Sequence, residues 1–373
     1  MPIEVVPYTA EWLEAVLAFN ARMRAGGTHW GWYASPVDEW LPEREGQKTW
    51  REHWLAVDEH RCVRGAFGLK PHEWRIHGAT KLVTDWQGPV TEGLISRHYN
   101  TLGLRLLREM LRRYPLLYSW GHGGLEQPML LMLDRLGWLL HRTPFLLRVL
   151  RPASFLRRNR ALRGTRGRRL LSDVAAFSGA GWLGLHALHG VAGLRSRRSP
   201  PAAAEPFDRF EAWADDLWER CAGRYAAIAT RDARTMNALF QPDRWPPAVK
   251  LRIRRGGETL GWAAVMDTPM HDDERFGSLR VGSVVDGLAA PEDAEAVVGA
   301  AFRFLRGRGV EIVVSNQSHP AWIAGFAAHG FVAVRGRRVF AASPELAKAL
   351  EPWEQARQGL HLTNMDGHGP LAL

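Results

Sequence analysis

Two cysteines in 373 residues, Cys62 and Cys221, stand far apart, and neither belongs to a CxxC pair. Neither a disulfide framework nor a cysteine zinc site is supported, and a reducing cytoplasm is the expected compartment. The opening residues, MPIEVVPYTAEWLEAV, lack the basic cluster and apolar run of a secretory signal, so the chain is expected to enter its fold directly. Acid is scarce in one place. Residues 151–198 hold eleven Arg against a single acid, Asp173, and this segment carries the whole +10 formal charge of the chain. A basic segment in an otherwise neutral chain is a local electrostatic feature. No aromatic-and-basic sheet surface or reading-helix pattern accompanies it, so no nucleic-acid partner is expected.

What is present is material for two cores: 46% hydrophobic residues and 17 Trp over a length that suggests two domains. Ile3–Pro7 reads as a strand, and a helix follows with Trp12, Val16, Phe19 and Met23 inward. An aromatic-rich loop, 28–50, offers Trp30 and Trp32 as substrate-binding candidates, or as plugs for a core. Strands are expected at His53–Val57, Cys62–Leu69 and Glu73–His77, with Pro71 as a break. The next stretch, Val90–Arg113, reads as strand, polar turn and helix. Such a junction presents free backbone N–H groups and the positive end of a helix dipole, a natural seat for phosphate, and Arg97 stands at its mouth. A strand Leu116–Trp120, a GHGG turn, a helix to Leu136 and a strand Phe145–Val149 complete the order β-α-β-β-β-α-β-α-β.

After Pro200-Pro201 the same order returns, with strands at Val249–Ile253, Thr259–Asp267, Leu279–Gly287, Ile312–Ser315 and Val339–Ala342. The order, with Leu133-Asp134-Arg135-Leu136-Gly137-Trp138 in the first half and Gly330-Phe331 in the second, resembles the GNAT superfamily of acyl-CoA-dependent N-acyltransferases. The chain reads as a tandem, diverged repeat. Its layout is similar to that of the Fem-type aminoacyltransferases and of exopolysaccharide-associated tandem GNAT proteins. The fold expectation is α/β of the α+β type: two GNAT-like domains, each a mixed, mostly antiparallel sheet flanked by helices. The expected spans are 1–150, a connector 151–204, and 205–373 with its tail.

The resemblance implies transfer of an acyl or aminoacyl group from acetyl-CoA or another acyl-CoA to an amine of a sugar, peptide or envelope-polysaccharide precursor. It also implies a V-shaped gap beside the strand that ends near Glu92–Ile95, where pantetheine would insert. The family's phosphate loop, Gln/Arg-x-x-Gly-x-Gly/Ala, matches Arg97 through Gly103, with Arg97, Asn100, Thr101 and Gly103 as cofactor-binding candidates. Leu102 stands where a glycine belongs and is expected to crowd a pyrophosphate. The family's tyrosine acid is replaced by Leu133 and Phe326. Proton transfer would then fall to His98, Tyr99 or His122 in the first half, or to Asp286 or His319 in the second.

The second half has Pro291-Glu292-Asp293 at the phosphate-loop position, where acids suit the helix dipole and repel phosphate. Its site-like feature is Ser315-Asn316-Gln317-Ser318-His319 at a strand end, with Asn316 and Gln317 as substrate-binding candidates. No metal is expected; the tail with His361, Asp366 and His368 reads as a packed terminal loop. The apolar part of the connector, 170–194, is interrupted by Asp173, His186, His189 and five Gly. It reads as a helix packed on protein, as an interfacial helix on an anionic membrane through 155–198, or as a span. A cytoplasmic protein, peripheral to the inner membrane face, is the expectation.

Overall fold

The structure is a computed structural model that describes residues 2–35, 41–121, 123–159, 201–241, 248–367 and 369. Most of the basic connector (160–200), His122 and His368 lie outside the described residues. The first stretch of chain runs β1 (Ile3–Pro7), α1 (Leu13–Ala25), β2 (Glu52–Asp58), β3 (Val63–Ile76), β4 (Ala79–Thr91), α2 (Leu102–Arg113), β5 (Leu117–Gly121), α3 (Pro128–Arg135), β6 (Leu139–Arg142), β7 (Phe145–Val149) and α4 (Pro152–Arg158). The second runs β8 (Ala203–Phe207), α5 (Ala212–Ala222), β9 (Ala227–Ala229), α6 (Ala233–Leu239), β10 (Val249–Arg255), β11 (Glu258–Pro269), β12 (Arg280–Ala289) and α7 (Ala294–Gly307). It ends with β13 (Ile312–Asn316), α8 (Pro320–Ala328), β14 (Val332–Val334), β15 (Val339–Ala342), α9 (Pro344–Ala349), α10 (Trp353–Gly359) and β16 (Leu360–His361).

One compact unit comprises Met1–Trp74, Ala79–His141 and Val339–Pro352. Its strands lie in the order β1-β2-β3-β4-β5-β15-β6. β1 to β3 are antiparallel, β4 and β5 are parallel, and β15 returns antiparallel to β5. The period of two in the strands sorts residues between two covers. Ala56, Phe67, Leu69 and Trp86 pack under Leu102, Leu106, Leu107 and Met110 of α2. Leu55, Ala66 and Val90 pack under Val16, Phe19 and Met23 of α1.

The second unit comprises Arg75–Gly78, Arg142–Arg338 and Trp353–Leu373, with strand order β14-β7-β13-β12-β11-β10-β8. Within this strand order β12 and β13 are parallel and the other neighbours are antiparallel, while β9 and β16 of the same unit form a further parallel pair outside it. Two mixed sheets flanked by helices are thus present, as the sequence led us to expect. No described helix is long and apolar enough to cross a membrane.

Two features differ from the sequence reading. Pro71 does not divide two strands: β3 runs through it, and the Pro71 carbonyl accepts the Trp50 N–H at 3.2 Å. A proline costs a strand one donor, and its acceptor still binds. Chain order also does not give sheet membership. β7, which closes the first half of the sequence, pairs with β13 and β14, whereas β15, near the end of the second half, pairs with β5. Short apolar strands carry little information about their partner, which long-range packing selects.

Candidate functional site

In the first unit the parallel ladder between β4 and β5 has two rungs, Thr84↔Leu117 and Asp85↔Tyr118. The Ser119 hydroxyl then donates to the Trp86 carbonyl at 3.3 Å. Beyond it β4 continues to Thr91 and β5 to Gly121 with no further rung between them among the described residues. Gly88, at φ +52°, turns β4 through a conformation that side chains disfavour, and it is exposed. The two strands therefore part, leaving a mouth at their carboxyl ends.

β4 leads through two short 3₁₀ turns, Glu92–Leu94 and Arg97–Tyr99, into α2. These turns are braced from below. The buried Glu92 carboxylate accepts from Arg22 at 2.7 Å and from Arg64 at 2.8 Å, and Arg64 also holds Asp58 at 2.9 Å. Gly93 lets the turns close on each other, since a Cβ there would stand 2.6 Å from the Tyr99 carbonyl oxygen. α2 begins with no side-chain cap and no acid in its first turn. Its first N–H groups and its dipole are left to an anion, with exposed Arg97, His98 and Arg105 around them. A cavity of about 160 Å³ lies here, lined by Ile3, His98, Tyr99, Thr101, Leu102 and Arg105.

Leu102, expected to crowd a pyrophosphate, lines this cavity from the core side. Its side chain is 2% exposed and packs with Leu106, Leu107 and Met110 in the core, at the first position of α2. Gly103 is unencumbered: a Cβ built on it meets nothing within 4 Å. Asn100 and Thr101 are exposed at the same turn, and the Tyr99 ring lies under the Arg64 guanidinium at 5.1 Å and edge-on to His98 at 4.9 Å. Arg97, Asn100, Thr101 and Gly103 thus lie on the turn that opens α2.

Sequence reasoning missed the other face of this sheet. The period of two puts Arg51, His53, Lys70, His72, Asp85 and Gln87 on the face opposite α2, and Lys70, His72, Asp85 and Gln87 are all buried. The Arg51 guanidinium donates to Gln87 Oε1 at 2.8 Å, and Gln87 Nε2 donates to Asp85 Oδ2 at 2.8 Å. The available signal was a Lys and a His at inward positions of an apolar strand. Of the two candidate tryptophans, Trp30 is 55% exposed. Trp32 is a core residue, its backbone tied to the Asn20 amide at 2.7 and 2.8 Å, with one ring edge near the Cβ position of Gly88.

The second unit repeats the junction and then closes it. β12 and β13 share four rungs, ending at Val284↔Ser315, and the Ser315 hydroxyl donates across this last rung to the Val284 carbonyl at 2.8 Å, as Ser119 does one residue beyond the last rung of the first unit. A register shift in β12 follows, and Asp286 comes next. The strands then part around the segment 360–366. The Ser318 N–H and hydroxyl donate to the Leu362 and Leu360 carbonyls, Asn316 Nδ2 donates to Asn364 Oδ1 at 3.2 Å, and the His361 ring meets the Gly287 carbonyl at 3.0 Å. The Thr363 hydroxyl donates to Asp286 Oδ1 at 3.0 Å. Arg231, 1% exposed, pairs with Asp286 at 3.1 Å and Asp366 at 2.8 Å.

Four of the candidates, Asp286, Asn316, Gln317 and His319, are therefore neighbours of one buried seal, which also recruits Arg231, His361, Thr363 and Asp366. Burial pushes the Asp286 carboxyl up to about 6 against the pull of Arg231, with Asp366 adding to the rise. Burial lowers His319 to about 4 and His361 well below the ordinary imidazole range, so both rings are neutral near pH 7. His319 Nδ1 accepts the Ala321 N–H at 3.2 Å and caps α8, a structural task. At the phosphate-loop position Glu292 is held by Arg224 at 2.9 Å beside Asp293, and the acids remain where phosphate would need donors. No group of metal ligands is found among the described residues.

No family model and no curated protein matches the sequence. Solved structures do. Saccharomyces cerevisiae N-myristoyltransferase with bound myristoyl-CoA is 11% identical, aligning 92% of this chain with 79% of that one at a TM-score of 0.52. A GCN5-related N-acetyltransferase from Anabaena variabilis is 10% identical, over 94% of this chain and 75% of that one, at 0.54. A probable N-acyltransferase from Enterococcus faecalis is 10% identical, over 94% and 74%, at 0.51. The fold is GNAT. Leu133 and Phe326, which stand where the sequence resemblance would place a tyrosine, are fully buried core residues and carry no transferable proton.

Proposed function

We propose that this protein is an acyl-CoA-dependent N-acyltransferase whose donor site lies in the first unit alone. The observation that carries this is the contrast between the two junctions. One opens beyond Asp85 and Tyr118 and leads to an uncapped, acid-free helix start; the other is filled by the chain's own residues 360–366. The pyrophosphate would sit on the first N–H groups of α2 beside Arg97, with Asn100, Thr101 and Gly103 forming the turn. The acceptor amine attacks the thioester carbonyl carbon, the C–S bond breaks, and the amine's proton must leave as the thiolate gains one. Asp85, the carboxylate at the parting point, is assigned the role of taking that proton.

The acceptor class, an amine of a sugar, peptide or envelope-polysaccharide precursor, is part of the proposal, as is docking of 155–198 on an anionic membrane at its cytoplasmic face. Thermal unfolding with acetyl-CoA and a series of longer acyl-CoAs up to myristoyl-CoA tests the donor site: a stabilising shift is expected, and Arg97→Glu should remove it. The absence of a shift with every acyl-CoA would overturn the reading. One observation favours a second reading, a binding module that keeps the fold without the reaction: Leu133 and Phe326 leave no acid at the family's position. Release of free CoA thiol on adding an amine separates the two. Salt-sensitive liposome binding that needs anionic lipid tests the docking segment.

A further inference from the structure

A second cavity of the first unit, about 620 Å³, is lined by Tyr8, Glu43, Arg51, Glu52, His53, Trp54, Arg113 and Tyr114, with Pro7 and Pro42 completing the wall. It is separate from the phosphate-loop cavity and sits at the other end of β1 and α2. Its size suits a small ligand. Its two arginines are turned toward partners other than Glu52. Arg113 is bound to Glu109 at 2.8 Å and stacked on Trp54 at 3.7 Å, and Arg51 is bound to Gln87 at 2.8 Å. Glu52 has no such cation. Its carboxylate accepts the Trp50 indole N–H at 2.8 Å, the Trp54 indole N–H at 2.9 Å and the Tyr114 hydroxyl.

Three neutral donors fix the position of that carboxylate without cancelling its charge, and no Lys, Arg or His of the described residues pairs with it. A second acid, Glu43, stands exposed in the same lining and adds to the attraction for a cation, and the rings of Tyr8 and Tyr114 are in the wall beside them. We propose that this cavity binds a primary ammonium group, with Glu52 as its counter-ion. The cavity is level with the parting point of the junction. His53 pairs with Gly68, and a Cβ on Gly68 would lie 3.6 Å from Gln87, the residue that links Arg51 to Asp85. β2 and β4 are two strand spacings apart, roughly 10 Å. Use of the cavity to anchor the acceptor rests on the acyltransferase reading, but occupancy by an amine does not.

The test is calorimetric titration of the full chain, without acyl-CoA, with glucosamine and with glycinamide. Their N-acetylated forms serve as uncharged controls. Binding by the amine and not by its acetylated form is expected, and whichever arm binds more tightly identifies the source as sugar or peptide. Glu52→Gln should weaken binding roughly tenfold or more, as loss of a charge-assisted pair does. Glu43→Gln, at an exposed position that cannot endanger folding, should weaken it less. Arg97→Glu should leave amine binding intact while abolishing the acyl-CoA shift, so failure of one idea is distinguishable from failure of the other. Equal binding of amine and acetylated forms, no binding of either amine up to high millimolar concentration, or unchanged affinity in Glu52→Gln would each overturn the proposal.

Discussion

The two parallel junctions begin alike and end differently. In each, a short ladder finishes with a serine hydroxyl donating across to the neighbouring strand, Ser119 to Trp86 and Ser315 to Val284. In the first unit the next residues are the exposed Gly88 and a loop that ends on an uncapped helix. In the second they are Asp286 and a buried ionic cluster that ties the segment 360–366 into the gap. The same topology can serve as a cleft or as a core. What decides is whether later chain supplies polar partners to the strand ends, because backbone groups freed where strands part must be satisfied by ligand, water or protein.

Breaking the seal should be among the largest effects. Arg231→Met leaves Asp286 and Asp366 without their shared cation in the interior, at a cost of about 3–5 kcal/mol. Urea unfolding would show it, with limited proteolysis of the tail reporting release of 360–366. A loss under about 1 kcal/mol would mean that the triad does not close the junction. In the open junction, Asp85→Asn should lower turnover by roughly a hundredfold to ten-thousandfold while leaving the acyl-CoA thermal shift in place, the range for loss of a general base. A variant with undiminished turnover would remove Asp85 from the reaction.

Much of this contrast was legible in the sequence, and the part that was not has a physical reason. The strand–turn–helix at Val90–Arg113 and the acids at Glu292 and Asp293 are local patterns, and they predicted a donor loop in one half and none in the other. For Leu102, a residue's position in a motif does not say which way its side chain points, and at the first position of α2 it packs into the core. The partnership of Arg231 with Asp366 spans 135 residues, and no spacing rule encodes it. Lys70, His72 and Asp85 carried a readable sign, polar residues with the parity of a buried face, which strand propensity alone passes over. The assignments of β7 and β15 were beyond local reading altogether.

Acid should distinguish the units more gently. The folded pKa of Asp286 is raised to about 6, so its contribution to stability is present below the ordinary carboxylate range and is lost as pH rises through 6. His319, lowered to about 4, and His361, lowered further, act in the opposite sense: their contributions are present above about pH 6.5 and are lost as pH falls toward 4. The two imidazoles oppose the one carboxyl, and urea midpoints are expected to fall as pH goes from 6.5 to 4. His319→Asn, which keeps a capping side chain, should flatten that fall, and Asp286→Asn should steepen it. A slope unchanged by either substitution would mean that these groups titrate alike in the folded and unfolded chain.

The smallest effect probes the open junction itself. Gly103 lies inside the first turn of α2, at no positive φ, with space around its missing Cβ. Gly103→Ala should therefore stabilise the protein by up to about 1 kcal/mol through helix propensity, read as a higher unfolding midpoint. A pyrophosphate approaching the same backbone would meet the new methyl group, so the acyl-CoA shift should shrink while intrinsic stability rises. The opposed signs are the useful feature. If stability rises and the acyl-CoA shift is untouched, the phosphate does not sit over Gly103, and the anion site moves toward Arg97 and His98 at the start of the turn.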